Sequence, residues 1–141
     1  MKNLFNNIYQ GCRVLVTGHT GFKGSWLVLW LKMIGAKVTA LALPPETKPN
    51  HWNILRLNIE SYHLDIRDAE ELKSKVISAR PNIVFHMAAQ PLVRHSYKCP
   101  LETWETNVMG TANLLNACRY ISDLAAVVVV TTDKCYDNKK W

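Results

Sequence analysis

The stretch Gly18-His-Thr-Gly-Phe-Lys-Gly24 lies between a short apolar run, Arg13 to Val16, and a long segment without proline. A β-branched apolar run of this length predicts a buried strand. The segment from Phe22 to Ile34 predicts a helix, which ends where Gly35 supplies the residue that turns left-handed after a last helical turn. The glycine-rich stretch therefore joins a first strand to a first helix.

Each glycine of this stretch has a separate use in a strand-to-helix turn. Gly18 permits the tight turn, Gly21 lets the backbone approach a pyrophosphate, and Gly24 lets the helix pack close to the sheet. The helix N-terminus offers free N–H groups and a partial positive charge to the phosphates. The stretch predicts a dinucleotide site, and three of its other residues complete the expected cofactor-binding loop: Thr20, Phe22 and Lys23.

The rest of the chain alternates between strand-like and helix-like segments. Further strands are predicted at 37–43, 62–64, 83–86 and 125–130, and residues 46–59 read as a loop with at most a helical turn. Asp68 and Glu71 have the spacing of a capping box, which opens a helix that runs to about Ala79. Alternating strands and helices with nearly continuous apolar strands predict an α/β fold: a Rossmann-like, doubly wound parallel sheet, incomplete at the C-terminus.

Another helix is predicted to begin at Pro100, because proline suits the first helical position. Steps of three and four residues then predict one buried face, formed by Leu101, Trp104, Val108, Thr111, Leu115 and Cys118.

Composition excludes several classes of protein. The chain has 141 residues, 48% hydrophobic and 20% charged, and a net charge of +6; such a chain forms one globular domain. Its basic residues are scattered, so a nucleotide ligand accounts for the charge and no nucleic-acid partner is expected. The four cysteines lack CxxC or zinc-type spacing, so we expect free thiols and no metal. No secretory signal or membrane span is visible, and a cytoplasmic location is expected.

The end of the second strand lacks the usual marker of cofactor choice. Positions 40–44 contain neither a carboxylate for the adenosine ribose hydroxyls nor an arginine for a 2′-phosphate. Asp65, after the third strand, stands where an adenine amino group could be met, although a turn or capping role suits it equally. Ala88 and Ala89, after the fourth strand, would leave room for a cofactor backbone. With them, the expected cofactor-binding set includes Ile66, Gln90 and Asn107.

Four segments resemble one family in particular: Val16 to Leu27, Val84 to Tyr97, Thr106 to Thr111 and Val130 to Tyr136. The pattern GxxGFxG is similar to that of the extended short-chain dehydrogenase/reductases. The segments Ala-Ala-Gln-Pro-Leu-Val-Arg and Thr-Asp-Lys-Cys-Tyr resemble, within that group, the nucleotide-sugar 4,6-dehydratases that act on CDP-glucose. The likeness extends from Gly11 over nearly the whole chain.

The resemblance implies an activity, a cofactor and a substrate. NAD would take a hydride from C4 of the glucosyl unit of CDP-glucose, water would leave from C5 and C6, and the hydride would return to C6. The product, CDP-4-keto-6-deoxyglucose, is a precursor of the deoxysugars of lipopolysaccharide. The resemblance also implies a homo-oligomer for a full-length enzyme.

Thr132, Asp133 and Lys134 match the family's active-site triplet. By resemblance, Asp133 protonates the departing C6 hydroxyl and Thr132 donates a hydrogen bond to the C4 oxygen. Many relatives carry glutamate, the C5 base, where this chain has Lys134, and a lysine could act as that base only with a lowered pKa.

The family's Tyr-x-x-x-Lys pair is expected on a later helix. Tyr136 and Lys140 have that spacing, but they follow the fifth strand too closely, and Asp137-Asn138 favours a turn. We therefore expect residues 1–10 to be an extension, residues 11–141 to be an NAD-binding Rossmann domain without its substrate-binding portion, and the 141-residue chain alone to be inactive. The alternatives are another extended-family epimerase or reductase of nucleotide sugars, or a non-catalytic nucleotide-binding remnant.

Overall fold

The computed structural model describes residues 4–132 and 136–137. Five strands in this part of the chain form a parallel sheet in the order β3-β2-β1-β4-β5. The strands are β1 (Arg13–Thr17), β2 (Lys37–Ala42), β3 (Glu60–His63), β4 (Ile83–His86) and β5 (Ala126–Val129). The helices are α1 (Phe22–Met33), α2 (His51–Leu55), α3 (Ala69–Ala79), α4 (Val93–Lys98), α5 (Pro100–Trp104) and α6 (Gly110–Cys118). The predicted doubly wound α/β fold is confirmed.

Helices cover both faces of the sheet because its central strand is apolar on both sides. Val14 and Val16 of β1 pack into one cluster with Val28 and Leu31 of α1. Leu15, which points to the opposite face, packs into a second cluster formed largely by α3 and α6. Each fully buried leucine or valine contributes about 1.5–3 kcal/mol relative to its exposed state. The two outer strands are less covered, and Val128 of β5 is 42% exposed.

The helix ends follow their predicted signals with one correction. Gly35 has φ +91° directly after the C-terminal turn of α1. Asp68 caps α3 by accepting a hydrogen bond from the Glu71 amide at 2.9 Å. The reciprocal half of the predicted capping box is wrong, because the Asp68 amide donates to the Asp65 carbonyl oxygen at 3.0 Å.

The predicted buried face of the helix that begins at Pro100 is confirmed at Cys118 and wrong at most of its other positions. Leu101 is 85% exposed and Trp104 66%, and Val108 and Leu115 are exposed as well. The buried residues are Gly110, Leu114, Ala117 and Cys118. A π-helical turn at Glu105–Met109 separates α5 from α6. Such a turn adds a residue to the helical repeat and shifts its phase, so a pattern counted in threes and fours from Pro100 selects Leu115 in α6, where Leu114 is buried.

Gly110 fits the observed face because α6 approaches the loop after β3 there. A Cβ at Gly110 would lie 2.5 Å from Cδ1 and 2.7 Å from Cγ1 of Ile66. Ile66 is 4% exposed and belongs to the α3–α6 core cluster. Among the residues that the structure describes, no helix has the length and apolar character that a membrane span requires.

Candidate functional site

A cleft of about 810 Å³ opens at the carboxyl ends of β1, β2, β3 and β4. It lies where β1 has β2 on one side and β4 on the other, so the strand order reverses there. This switch point is the usual ligand site of open parallel sheets. The cleft is lined by the glycine loop, the segments after β2 and β3, and residues 87–92 after β4, with His95, Glu102 and Thr106 behind them.

Gly18 brings the glycine loop into contact with the segment after β4. Its φ is +79°, a conformation that side chains other than glycine rarely adopt. A Cβ on Gly18 would lie 2.6 Å from the Ala88 nitrogen and 2.7 Å from the Met87 carbonyl carbon. The two backbones therefore touch, and nothing larger than glycine fits between them.

Gly24 and Gly21 occupy different surroundings. A Cβ on Gly24 would overlap the Gly18 carbonyl oxygen and lie 2.9 Å from Cα of His19, so Gly24 lets α1 start directly against the loop. Gly24 is buried, whereas Gly21 lines the cleft and has only the Gly18 carbonyl oxygen near its Cβ position, at 3.4 Å. The sequence assigned helix packing to Gly24 and ligand approach to Gly21, and the geometry fits both uses.

The start of α1 can hold an anion. Phe22, Lys23 and Gly24 are its first three residues, and amides at these positions have no acceptor within the helix. With 12 residues, α1 also carries a helix dipole whose positive end faces the cleft beside Gly21 and Phe22. The Lys23 side chain is exposed and is not part of the cleft lining.

A buried chain of hydrogen bonds fixes the ends of β1 and β4. Thr17 Oγ1 lies 2.6 Å from Nδ1 of His86, and Nε2 of His86 lies 2.9 Å from Oγ1 of Thr111. The Thr111 hydroxyl donates to the Asn107 carbonyl oxygen, so it accepts from Nε2–H of His86. Nδ1 is then the acceptor for the Thr17 hydroxyl. Burial lowers the pKa of His86, which keeps the ring in this neutral form.

The same hydroxyl positions the backbone under the cleft. Oγ1 of Thr17 accepts hydrogen bonds from the Met87 and Ala88 amides, both at 3.2 Å. The Met87 amide has a second acceptor in the Thr17 carbonyl oxygen, at 3.2 Å. Thr17 thus orients the segment whose small side chains form the floor of the cleft.

The Thr17→Val variant is expected to lower the free energy of unfolding by about 1–3 kcal/mol, because Ala88 N–H and His86 Nδ1 lose a buried partner. Denaturant unfolding measures the change. Thr39→Val is the matched control: its hydroxyl donates to the exposed Glu60 carboxylate, and the expected change is within about 0.5 kcal/mol. Equal effects of the two substitutions would contradict the assignment.

Asn107 holds the next residues of this segment without lining the cleft. Its Oδ1 accepts from the Gln90 amide at 2.7 Å, and its Nδ2 donates to the Gln90 carbonyl oxygen at 3.1 Å. The Gln90 side chain donates to Oγ1 of Thr103 at 2.9 Å. Asn107 and Thr103 therefore fix both the backbone and the side chain of Gln90, which does line the cleft.

Asp65 pairs with Arg67 at the opposite wall. The Arg67 guanidinium lies 2.6 Å from Asp65 Oδ2, and the Arg67 amide donates to Oδ1 at 2.9 Å. These hydrogen bonds hold the pKa of the Asp65 carboxyl below its usual range. Arg67 also lies 3.8 Å from Glu102 Oε1, and Glu102 Oε2 lies 3.1 Å from Nε2 of His95. Asp65 thus closes a local turn, one of the two roles weighed for it, and it also lines the cleft; its contact with an adenine stays a prediction.

His19 belongs to the glycine loop, and its side chain is fully buried. Nε2 of its ring is 2.8 Å from Oγ of Ser61, and the ring packs edge-on against Trp52 with centroids 4.5 Å apart. Burial lowers its pKa to about 4, an effect opposed by the nearby Leu41 carbonyl. A neutral His19 therefore connects the loop to β3 and α2.

The segment between β2 and α2 supplies cleft residues that sequence analysis missed. They are Leu43, Pro44, Pro45, Glu46, Thr47, Pro49, Asn50 and His51. Oγ1 of Thr20 donates to the Leu43 carbonyl oxygen at 2.9 Å, which joins this segment to the glycine loop. Asn50 caps α2 by accepting from the Asn53 amide at 2.8 Å. The only sequence signal was this capping residue, and a five-residue helix has no clear period.

The expected site residues divide into three groups. The cleft brings together Gly18, Thr20, Gly21, Phe22, Asp65, Ile66, Ala88, Ala89 and Gln90, whereas Lys23, Gly24 and Asn107 lie outside its lining. Thr132 is exposed, three residues beyond β5, and Asp133 and Lys134 lie outside the described residues. Tyr136 and Asp137 are not helical, and Lys140 is outside the described part.

The glycine loop, the strand order and the cleft define a doubly wound nucleotide-binding α/β protein. The sequence model of the GDP-mannose 4,6 dehydratase family matches residues 15–140. The chain belongs to this family.

Individual relatives are also similar. CDP-glucose 4,6-dehydratase of Salmonella typhimurium is 56% identical over 137 residues, which are 96% of this chain and 38% of that protein. The structure of Thermus thermophilus UDP-glucose 4-epimerase in complex with NAD has a TM-score of 0.67 and 36% identity, over 76% of this chain and 33% of that one. The structure of UDP-glucose 4-epimerase from Brucella ovis in complex with NAD has a TM-score of 0.69 and 29% identity, over 82% of this chain and 34% of that one. The chain thus spans less than two-fifths of the length of these relatives.

Proposed function

We propose that this chain is the NAD-binding part of a nucleotide-sugar 4,6-dehydratase that converts CDP-glucose to CDP-4-keto-6-deoxyglucose. The observation that carries the proposal is the 56% identity to the Salmonella CDP-glucose 4,6-dehydratase, combined with a cleft built around Gly18 and Gly21. The epimerase structures with NAD support the choice of cofactor.

The residues present fit a dinucleotide. The contact between Gly18 and the backbone of Met87 and Ala88 leaves a shallow floor, and the free amides of α1 suit a pyrophosphate. Asp65 and the Ile66 backbone face the cleft where an adenine would lie, and Ala88, Ala89 and Gln90 form the side toward β4. When bound, the nicotinamide supplies reversible hydride chemistry. The protein itself would exclude water from the cleft and orient the sugar against the nicotinamide.

The catalytic groups follow β5. Thr132 donates a hydrogen bond to the C4 oxygen of the sugar, Asp133 delivers a proton to the leaving C6 hydroxyl, and Lys134 removes the C5 proton or positions the sugar. These roles rest on the likeness of the triplet to that of the family. Such an enzyme would work in the cytoplasm as a homo-oligomer, in the synthesis of deoxysugars for lipopolysaccharide.

Product analysis on the intact protein tests the proposal. CDP-glucose and NAD should yield a 4-keto product, detected by its absorbance in alkali, while UDP-glucose should yield little of it. A 4-epimer of the supplied sugar in place of the 4-keto product would instead identify an epimerase. The 141-residue chain on its own is expected to give no product, since it spans 38% of the Salmonella relative.

NAD is expected to bind more tightly than NADP, because positions 43–50, directly after β2, contain no arginine to pair with a 2′-phosphate. Calorimetric titration of the intact protein with each cofactor measures the two dissociation constants. Tighter binding of NADP would contradict this expectation without affecting the assignment of the fold.

A further inference from the structure

His51 is a half-buried ring held from two sides at the edge of the cleft. Its Nδ1 lies 2.7 Å from Oγ of Ser25, which is fully buried in α1. Its ring stacks on Trp26, with centroids 4.4 Å apart and an interplanar angle of 29°. Phe22 approaches the same ring, with centroids 5.9 Å apart.

The hydrogen bonds define which ring nitrogen of His51 is free. The Ser25 hydroxyl donates to the Phe22 carbonyl oxygen at 2.8 Å, so its proton is already used. Oγ of Ser25 can then only accept from His51, and Nδ1 must carry the hydrogen. In a neutral ring Nε2 is therefore the acceptor. His51 lines the cleft together with Thr20, Gly21 and Phe22.

The position matters because β2 is followed by no carboxylate for the adenosine ribose. From Ala42 to Asn50 the single acidic residue is Glu46, and it is exposed. We infer that Nε2 of His51 accepts a hydrogen bond from a ribose hydroxyl of the adenosine half of the dinucleotide, in place of the missing carboxylate. The inference rests on the proposed dinucleotide function and adds the residue that recognises the ribose.

Preorganisation favours His51 over Glu46 for this role. The His51 ring is fixed by Ser25 on its edge and Trp26 on its face, so little side-chain freedom is lost when a ligand binds. Glu46 would have to order a long exposed side chain when a ligand binds, and the loss of its rotamer freedom opposes binding. A neutral nitrogen acceptor also forms no hydrogen bond with a 2′-phosphate, because the phosphate leaves no hydroxyl proton at the 2′ position.

Adenine nucleotides that lack one hydroxyl provide a direct test on the intact protein. ADP, 2′-deoxy-ADP and 3′-deoxy-ADP are titrated into the protein by calorimetry. One deoxy analogue is expected to bind about 3–10-fold more weakly than ADP, the effect of one hydrogen bond. In His51→Phe, which keeps the stack on Trp26, this preference should disappear.

Two further variants separate recognition from structure. His51→Asn can still donate to Ser25 but has no group at the Nε2 position, so it should also lose the preference. His51→Gln carries an amide at that position and should restore part of it. Glu46→Gln is the control on the neighbouring loop and should leave the preference unchanged. Thermal unfolding checks that each variant is folded.

The outcomes separate the two proposals. Failure of ADP and NAD to bind would overturn the dinucleotide function together with this inference. Binding of ADP without any preference for either hydroxyl, or a preference that survives in His51→Phe, would overturn the role of His51 alone. Loss of the preference in Glu46→Gln but not in the histidine variants would assign the ribose to Glu46 instead.

Discussion

Replacing Gly18 by alanine is expected to lower the free energy of unfolding by more than about 3 kcal/mol and to remove measurable NAD binding. Two costs combine at this position. Alanine at φ +79° is strained, and its Cβ would lie 2.6 Å from the Ala88 nitrogen. Because the atoms in the way are backbone and not a flexible side chain, either the loop or the segment after β4 must move. Both line the cleft.

Gly11 provides the matched control for the first of these costs. It also has a positive φ, +71°, but nothing lies within 4 Å of its Cβ position. Gly11→Ala should therefore cost only the conformational penalty, about 1–2 kcal/mol, and leave NAD binding unchanged. Denaturant unfolding and calorimetry on both variants give the comparison. Similar losses for the two substitutions would show that the contact between the glycine loop and the segment after β4 contributes nothing to the free energy of unfolding or to NAD binding.

The parts of the fold that sequence analysis predicted are those decided by local chemistry. Arg13 to Val16 is apolar and β-branched, Gly35 must turn left-handed, and Asp68 can cap a helix whatever lies elsewhere in the chain. The alternation of such signals determines a parallel sheet, since strands that are buried on both faces need helices between them.

The errors occur where the backbone departs from regular geometry. The π-helical turn at Glu105–Met109 has no sequence signal, and it moved the buried face of α6 from Leu115 to Leu114. Helix α2, of five residues, is held by tertiary contacts such as those of His51 and Trp52, and it is too short to show a period.

In the candidate site, too, the residues with a local signal could be predicted and those placed by long-range contacts could not. The glycines could be placed from their spacing, and Gly18 and Gly24 meet steric requirements that only glycine satisfies. The Thr17–His86–Thr111 chain and the His51–Ser25 pair could not, because their hydrogen-bonded members are 25–69 residues apart in the sequence. The usual place for a residue that recognises the ribose is directly after β2, whereas the acceptor that we propose, Nε2 of His51, belongs to the first residue of α2.

For the proposed catalytic triplet, Asp133→Asn in the intact protein is expected to slow formation of the 4-keto-6-deoxy product about 10²–10⁴-fold, as is typical when a positioned general acid is lost. Asparagine preserves the shape and hydrogen-bonding capacity of the side chain but has no proton to deliver to the leaving C6 hydroxyl. The defect should therefore fall on the loss of water, after C4 has been oxidised. Absorbance of reduced nicotinamide in a single turnover should rise as in the unaltered protein and then persist.

Asp137→Asn is the control for this experiment, because Asp137 is an exposed carboxylate four residues further along the same segment. It should form product at the rate of the unaltered protein. Lys134→Ala would also leave reduced nicotinamide in place if the lysine removes the C5 proton, whereas a lysine that only positions the sugar would mainly change the apparent affinity for CDP-glucose. Product formation at the normal rate in Asp133→Asn, or no reduction of nicotinamide at all, would show that Asp133 is not the acid, because the substitution would then affect either no step or the earlier one.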